Sequence, residues 1–265
     1  MDPPKERIAL CFYGQPRGFE ENYNNIHTFI TDNCKNYQVD IFIHTWWDHS
    51  VIGQSYPCAP WSKTPESQRL IKADTIDTIK QLYNPVRILY EKPNLFENEV
   101  QTVKTMELYH NITEVRKTQN VSNILSNIYS KYKVSQLLER YVEHTKYTYK
   151  AVVSLRFDVN SGLKLFNPDA CLPNKVYQFY RNELILPPQR TYILDILVVF
   201  TDIHCFFNYS KAYTNVQTIN NSQECKQAAA NFGLNFEINA EEIVTFNLRL
   251  YYSEDEIKNS FIYLY

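Results

Sequence analysis

Three short segments hold residues whose types and spacing could do chemistry. The first is Arg156-Phe157-Asp158-Val159-Asn160. Alternation along an extended chain sends Arg156, Asp158 and Asn160 to one face. A carboxylate and an amide oxygen two residues apart can share a hard divalent cation. The arginine beside them can hold a phosphate or pin Asp158 by a charge-assisted bond. The plain alternative is a salt-bridged pair at a strand end. The second segment is Gly14-Gln15-Pro16-Arg17, a turn in which glycine lets backbone amides approach a diphosphate and Arg17 offers a forked donor to it. The third is His44-Thr45-Trp46-Trp47-Asp48-His49. Its two imidazoles lack the further ligands that a structural zinc site requires. One tryptophan is expected in the core and the other on a pocket wall.

Acidic candidates lie later in the chain. Asp195 and Asp202 border an apolar run, where a carboxylate often has the raised pKa that suits a general base. The competing reading is an aspartate that caps the next turn. Glu241 and Glu242 follow Asn239-Ala240, at a helix start where the dipole favours acids. There is no GxGxxG, no GxxxxGK[ST], no Gly-x-Ser-x-Gly and no His-Glu-x-x-His. Dinucleotide-binding, P-loop, serine-hydrolase and zincin readings lose their support accordingly.

These segments need elements to carry them. Apolar runs predict strands over Arg7 to Tyr13, Val39 to His44, Val86 to Tyr90, Ala151 to Phe157, Val176 to Tyr180, Leu197 to Phe200 and Ser260 to Tyr265. Helical spacing predicts helices over Glu20 to Cys34, Ser67 to Tyr83, Ser122 to His144, and about 203–216, 223–231 and 240–250. Residues 50–65 read as a proline-bearing loop near the mouth of the site, and the stretch after Tyr90 as polar and irregular. Strands separated by helices predict an α/β fold with a mainly parallel sheet covered on both faces. Ligands of such sheets bind beyond the carboxyl ends of the strands, and that rule sets Gly14 to Arg17, His44 to Asp48 and Arg156 to Asn160 along one edge.

Composition limits the classes of function. With 265 residues, 44% apolar and 21% charged, the chain is globular, and one domain over 1–265 is expected, with a nucleotide-binding half over about 1–160 and an acceptor half over about 161–265. Lys and Arg number 27 against 29 Asp and Glu, a balance that argues against nucleic acid as a partner. The 21 tyrosines and 15 phenylalanines suit sugar stacking as well as an ordinary core. Six scattered cysteines without a CxxC pair fit neither a zinc site nor a disulfide scaffold. The opening MDPPKERIALCFYG lacks the pattern of a secretory signal, and no apolar run approaches the roughly 20 residues of a membrane span. The expectation is a soluble cytoplasmic protein.

Taken together, RIALCFYGQPRGFEENYNNI, VDIFIHTWWD and YKAVVSLRFDV resemble segments of small soluble glycosyltransferases of the GT-A type, a group found in bacteria and in large DNA viruses of algae and protists, chloroviruses among them. The resemblance covers about residues 7–48 and 147–160 well and 190–250 loosely. It implies a single GT-A-type, Rossmann-like domain that moves a sugar from a nucleotide-sugar donor, UDP-linked by expectation, to a hydroxyl of a glycan or glycoprotein acceptor, such as a viral capsid glycan. It implies donor contacts from Gly14, Gln15, Arg17, His44, Trp46 and Arg156. It implies a Mn²⁺ or Mg²⁺ ion at Asp158 with help from Asn160, and catalysis by Asp195 or Glu241. The sequence departs from a full DxD motif, because Arg156 stands at the first acidic position. Two other functions use the same residues: a noncatalytic carbohydrate-binding module with a Trp and Tyr surface, and a metal-dependent phosphoesterase or nucleotidyltransferase built on the carboxylates.

Overall fold

The computed structural model describes residues 5–56, 70–111, 121–158, 163, 166–179, 197–231, 236, 238 and 240–264. Along the chain run β1 (Arg7–Gly14), α1 (Phe19–Thr28), β2 (Gln38–Trp46), α2 (Thr75–Tyr83), β3 (Arg87–Glu91), α3 (Glu97–Lys104), α4 (Glu107–His110), α5 (Val121–Thr145) and β4 (Ala151–Arg156). Then come β5 (Val176–Phe179), β6 (Leu197–Phe200), α6 (Ile203–Ser210), α7 (Ala212–Asn221), α8 (Gln223–Asn231), α9 (Ala240–Arg249), α10 (Glu254–Ser260) and β7 (Phe261–Leu264). The strands form one seven-stranded sheet in the order β3-β2-β1-β4-β6-β5-β7.

Burial on both faces explains the continuous apolar strands. Alternate residues of β1 go to opposite sides. Ala9, Cys11 and Tyr13 join the core under α5, α6, α7 and α9, whereas Ile8, Leu10 and Phe12 join the core under α1 and α2. The α/β class and the mainly parallel sheet are therefore as the sequence predicts. The pairings β3–β2, β2–β1, β1–β4 and β5–β7 are parallel, and β6 alone among the described strands runs against its neighbours.

Several boundaries differ from expectation for local reasons. The helix expected over Ser67 to Tyr83 begins only at Thr75 in the described residues, because Leu70 pairs with Ser55 in an isolated bridge and Ile71 exchanges backbone hydrogen bonds with Gly53 and Gln54. The helix expected over 203–216 breaks at Lys211 into α6 and α7. The polar stretch after β3 contains α3 and α4, whose buried Val103 and Leu108 are too widely spaced to advertise a helix. At the end of α1 the chain widens into a single π-helical turn, Phe29–Asn33. No described helix is long and apolar enough to cross a membrane.

Candidate functional site: an arginine pair at the switch point of the sheet

The chain leaves β1 toward β2 and β3 on one side, and then returns to lay β4 on the other. Helix α1, which follows β1, packs on one face, and α5, which leads into β4, packs on the opposite face. The connections diverge between the carboxyl ends of β1 and β4, which opens the crevice where α/β sheets bind ligands. In register, Tyr13 lies beside His44 on one side and Arg156 on the other.

Arg17 and Arg156 meet at this crevice. Arg156 donates from Nε to Asp158 Oδ1 at 2.8 Å and from Nη2 to Asp158 Oδ2. Arg17 donates from Nη2 to Asp158 Oδ2 at 3.2 Å, a contact between residues 141 positions apart in sequence. All three side chains are partly exposed, at 16% for Arg17, 26% for Arg156 and 28% for Asp158, so a ligand can reach them. Two guanidiniums thus meet on one carboxylate.

The turn that presents Arg17 is fixed from below. Gly14 has φ 94°, a conformation that side-chain-bearing residues rarely adopt. Its N–H donates to Ser130 Oγ at 2.7 Å, and its carbonyl accepts from Thr45 Oγ1 at 2.9 Å. Gln15 is half-buried and Pro16 buried. Gly18, also left-handed at φ 67°, starts α1. Asn22 on α1 donates to the Phe157 carbonyl at 2.9 Å, which ties the helix to the end of β4 just before Asp158.

His44 and Trp46, expected among the donor contacts, sit beneath the edge. His44 is fully buried. Its Nδ1 is 2.6 Å from Ser130 Oγ, and its Nε2 is 2.8 Å from Glu91 Oε2. One arrangement satisfies every group: Gly14 N–H to Ser130 Oγ, Ser130 O–H to His44 Nδ1, and His44 Nε2–H to the Glu91 carboxylate. Burial lowers the pKa of His44, which keeps the imidazole neutral. The hydrogen bond from His44 lowers the pKa of Glu91, with Lys133 and Tyr129 adding to the effect. Trp46 packs edge-on to His44 and stacks on Tyr129. Trp47 points to the other face and donates to the Lys72 carbonyl. Both indoles are buried, at 5% and 7% exposed, because successive strand residues alternate between two covered faces.

Lys131, like Ser130, comes from the buried side of α5. It is fully buried, with its ammonium 5.2 Å from the ring centroids of both Tyr13 and Tyr209. A polar pair at the apolar spacing of a long helix was the signal in the sequence for this layer, although nothing there indicated its partners Glu91 and Gly14.

The remaining candidates fare differently. Asp202 caps α6 by accepting from the His204 N–H at 2.9 Å, so the capping reading applies to it. Asp48 likewise accepts from the N–H and hydroxyl of Ser50. Asp195 and Asn160 lie outside the described residues. Glu241 stands in the first turn of α9, and its side chain is outside the described set. Because β6 is reversed, its first residue Leu197 lies beside Leu155 at the carboxyl edge, and β5 ends at the same edge at Phe179. Asp195 precedes Leu197 by two residues in sequence.

A divalent cation does not fit the described residues. Asp158 is their one carboxylate at the crevice with a sequence claim to a metal, and both its oxygens accept from guanidiniums. Among the described residues no group of three or more His, Cys, Asp and Glu is placed to hold an ion. The arrangement fits an anion of fixed geometry, to which arginine forks are suited.

No protein-family model matches this chain, and no curated protein matches it. Among solved structures, the chain is similar to the apo crystal structure of mouse xyloside xylosyltransferase 1, with a TM-score of 0.43, 8% sequence identity and coverage of 99% of this chain and 85% of that one.

Proposed function

We propose that this protein is a glycosyltransferase that takes a sugar from a nucleotide-sugar donor and transfers it to a glycan hydroxyl. The observation that carries the reading is the meeting of Arg17 and Arg156 at Asp158 in the crevice between β1 and β4. These are the segments on which the resemblance to GT-A-type enzymes rests, and chain folding brings them together at the place where α/β sheets bind nucleotides. The donor's diphosphate lies against the two guanidiniums, which stabilise the charge that develops as the nucleoside diphosphate leaves. Gly14 and Gln15 shape the turn on the donor side. Ser130, His44 and Glu91 hold that turn in place and do not touch the donor.

The acceptor hydroxyl must lose its proton as it attacks, and for an inverting reaction this requires a carboxylate near the anomeric carbon. We assign Asp195 to that role on sequence grounds, with Glu241 second. The experiment is release of nucleoside diphosphate from UDP-, GDP- and dTDP-sugars in the presence of oligosaccharide acceptors. At least one donor is expected to turn over, and Asp195→Asn is expected to lose on the order of 10²-fold or more while it still binds donor. Near-normal transfer by Asp195→Asn moves the base to Glu241 or to a retaining mechanism. Phosphate release from simple esters, with no sugar transfer, would overturn the assignment in favour of a phosphoesterase.

A further inference from the structure

We propose that Asn22 is a positioning residue of the crevice: its side-chain amide joins the two segments that carry Arg17 and Arg156, so that they close on a diphosphate as one clamp. The inference rests on the reading of the crevice as a diphosphate site and adds to it a residue that acts through others. Asn22 breaks the pattern of its helix. The buried residues of α1 are Phe19, Asn22 and Ile26, at the i, i+3 and i+7 spacing of an apolar stripe, and the middle one is an amide. A polar group set in such a stripe costs stability unless it is hydrogen-bonded, and departures from local pattern concentrate at functional sites. Asn22, 7% exposed, donates from Nδ2 to the Phe157 carbonyl at 2.9 Å, across 135 positions of sequence.

Both ends of that bond are short, stiff links to the site. On one side, the Asn22 N–H donates to the Gly18 carbonyl at 2.9 Å, which closes the first turn of α1 directly behind Arg17. On the other side, Phe157 lies between Arg156 and Asp158, and its ring is stacked on Phe12 and edge-on to Tyr83. Tyr83 in turn donates to the Phe19 carbonyl at 2.6 Å. Apolar contacts in the core beneath α1 and α2 hold these elements together, but such contacts are non-directional. The hydrogen bond is directional and fixes the register of one segment on the other. Without it, Arg17 and Arg156 must be brought into line when the anion binds, and affinity falls in proportion to the fraction of molecules aligned beforehand.

The experiment is calorimetric titration of inorganic pyrophosphate, in EDTA, into the wild-type protein, Asn22→Ala, Asn22→Leu, Arg17→Gln and the double variant Asn22→Ala/Arg17→Gln, with thermal melting of each. Ile26→Val serves as the control, since it removes a methyl group from the same stripe and leaves the bond to Phe157 intact. Both Asn22 variants should bind pyrophosphate about tenfold more weakly, whereas Ile26→Val should stay within about twofold of wild type even as its Tm falls. Arg17→Gln should cost about tenfold or more in the wild-type background and about threefold or less once Asn22 is gone, because the clamp is already open. Unchanged affinity in Asn22→Leu, or losses that multiply in full in the double variant, overturns the inference, as does an absence of pyrophosphate binding by the wild type. Should Asn22→Ala fail to fold, Asn22→Leu, which fills the same space without the donor, takes its place in the cycle. The two readings also fail separately. Sugar transfer together with Asn22-independent pyrophosphate binding refutes the positioning role and leaves the transferase. Asn22-dependent pyrophosphate binding in a protein that transfers no sugar does the reverse.

Discussion

Replacing Ser130 with alanine should both destabilise the protein and loosen its candidate site, and the cost can be worked from the geometry. Ser130 Oγ is fully buried, accepts the Gly14 N–H at 2.7 Å and lies 2.6 Å from His44 Nδ1. Removing it leaves two polar groups without that partner. The Gly14 amide is half-buried and loses about 1 kcal/mol, whereas the imidazole nitrogen, fully buried, loses about 2–3 kcal/mol. Alanine recovers about 0.5 kcal/mol of helix propensity within α5. The net loss is about 3 kcal/mol. At ~2.1 cal/mol/K per residue of unfolding entropy, 265 residues give about 0.56 kcal/mol/K, so Tm should fall by about 5 °C. The freed Gly14–Arg17 turn must then be reordered when an anion binds, and pyrophosphate affinity should drop about threefold to tenfold. Differential scanning calorimetry and pyrophosphate titration read the two effects. A Tm within about 1 °C of wild type, or a destabilised variant with unchanged affinity, would refute the claim that this buried layer positions the turn.

Three further outcomes follow from the same structure. The depressed pKa of His44 means that the unfolded chain takes up its proton first as pH falls below the ordinary 6.5. Stability, read as the urea midpoint, should therefore be full above that value and decline as pH drops through the window between it and the lower folded value. Glu91, held below its ordinary 4.5, extends the loss at still lower pH, and His44→Gln should flatten the first part of the curve. At the amino edge of the sheet, Asp40 accepts from Arg7 at 2.6 Å and from Tyr149 at 2.7 Å with its side chain 3% exposed. Asp40→Ala should cost about 3–5 kcal/mol in denaturant melts and leave pyrophosphate affinity untouched, because the site lies at the opposite edge. Gly14→Ala meets no atom within 4 Å of the added carbon, so its cost is backbone strain at φ 94°, about 1–2 kcal/mol; a neutral melt would show that the turn relaxes.

The parts of this account that were legible in the sequence are those set by local periodicity. The apolar runs before Gly14, His44 and Arg156 read directly as strands, and the carboxyl-end rule then placed the two arginine-bearing segments on one edge. The reversal of β6 was not legible, since a four-residue apolar run looks the same in either direction, yet that reversal brings Leu197 to the site edge. The two tryptophans were half read: their adjacency in a strand sends them to opposite faces, and in a sheet covered on both sides each face is core. Ser130 and Glu91 were missed because their roles arise from pairing across 86 and 47 positions with His44, which no spacing records. The R-x-D segment raised both possibilities, a cation site and an arginine-pinned carboxylate. The arrival of Arg17 from the β1 turn at the same carboxylate is a long-range contact that no spacing records.

The most direct test of the central claim is a thermal-shift panel of UDP-, GDP- and dTDP-sugars run on the wild-type protein and on Arg17→Ala. A ligand that binds only the native state raises Tm in proportion to its occupancy. The account predicts that at least one nucleotide sugar raises the wild-type Tm in EDTA and that the shift is largely lost in Arg17→Ala. No shift with any nucleotide sugar, together with stabilisation by free glycans in both proteins, would contradict it and identify a carbohydrate-binding module.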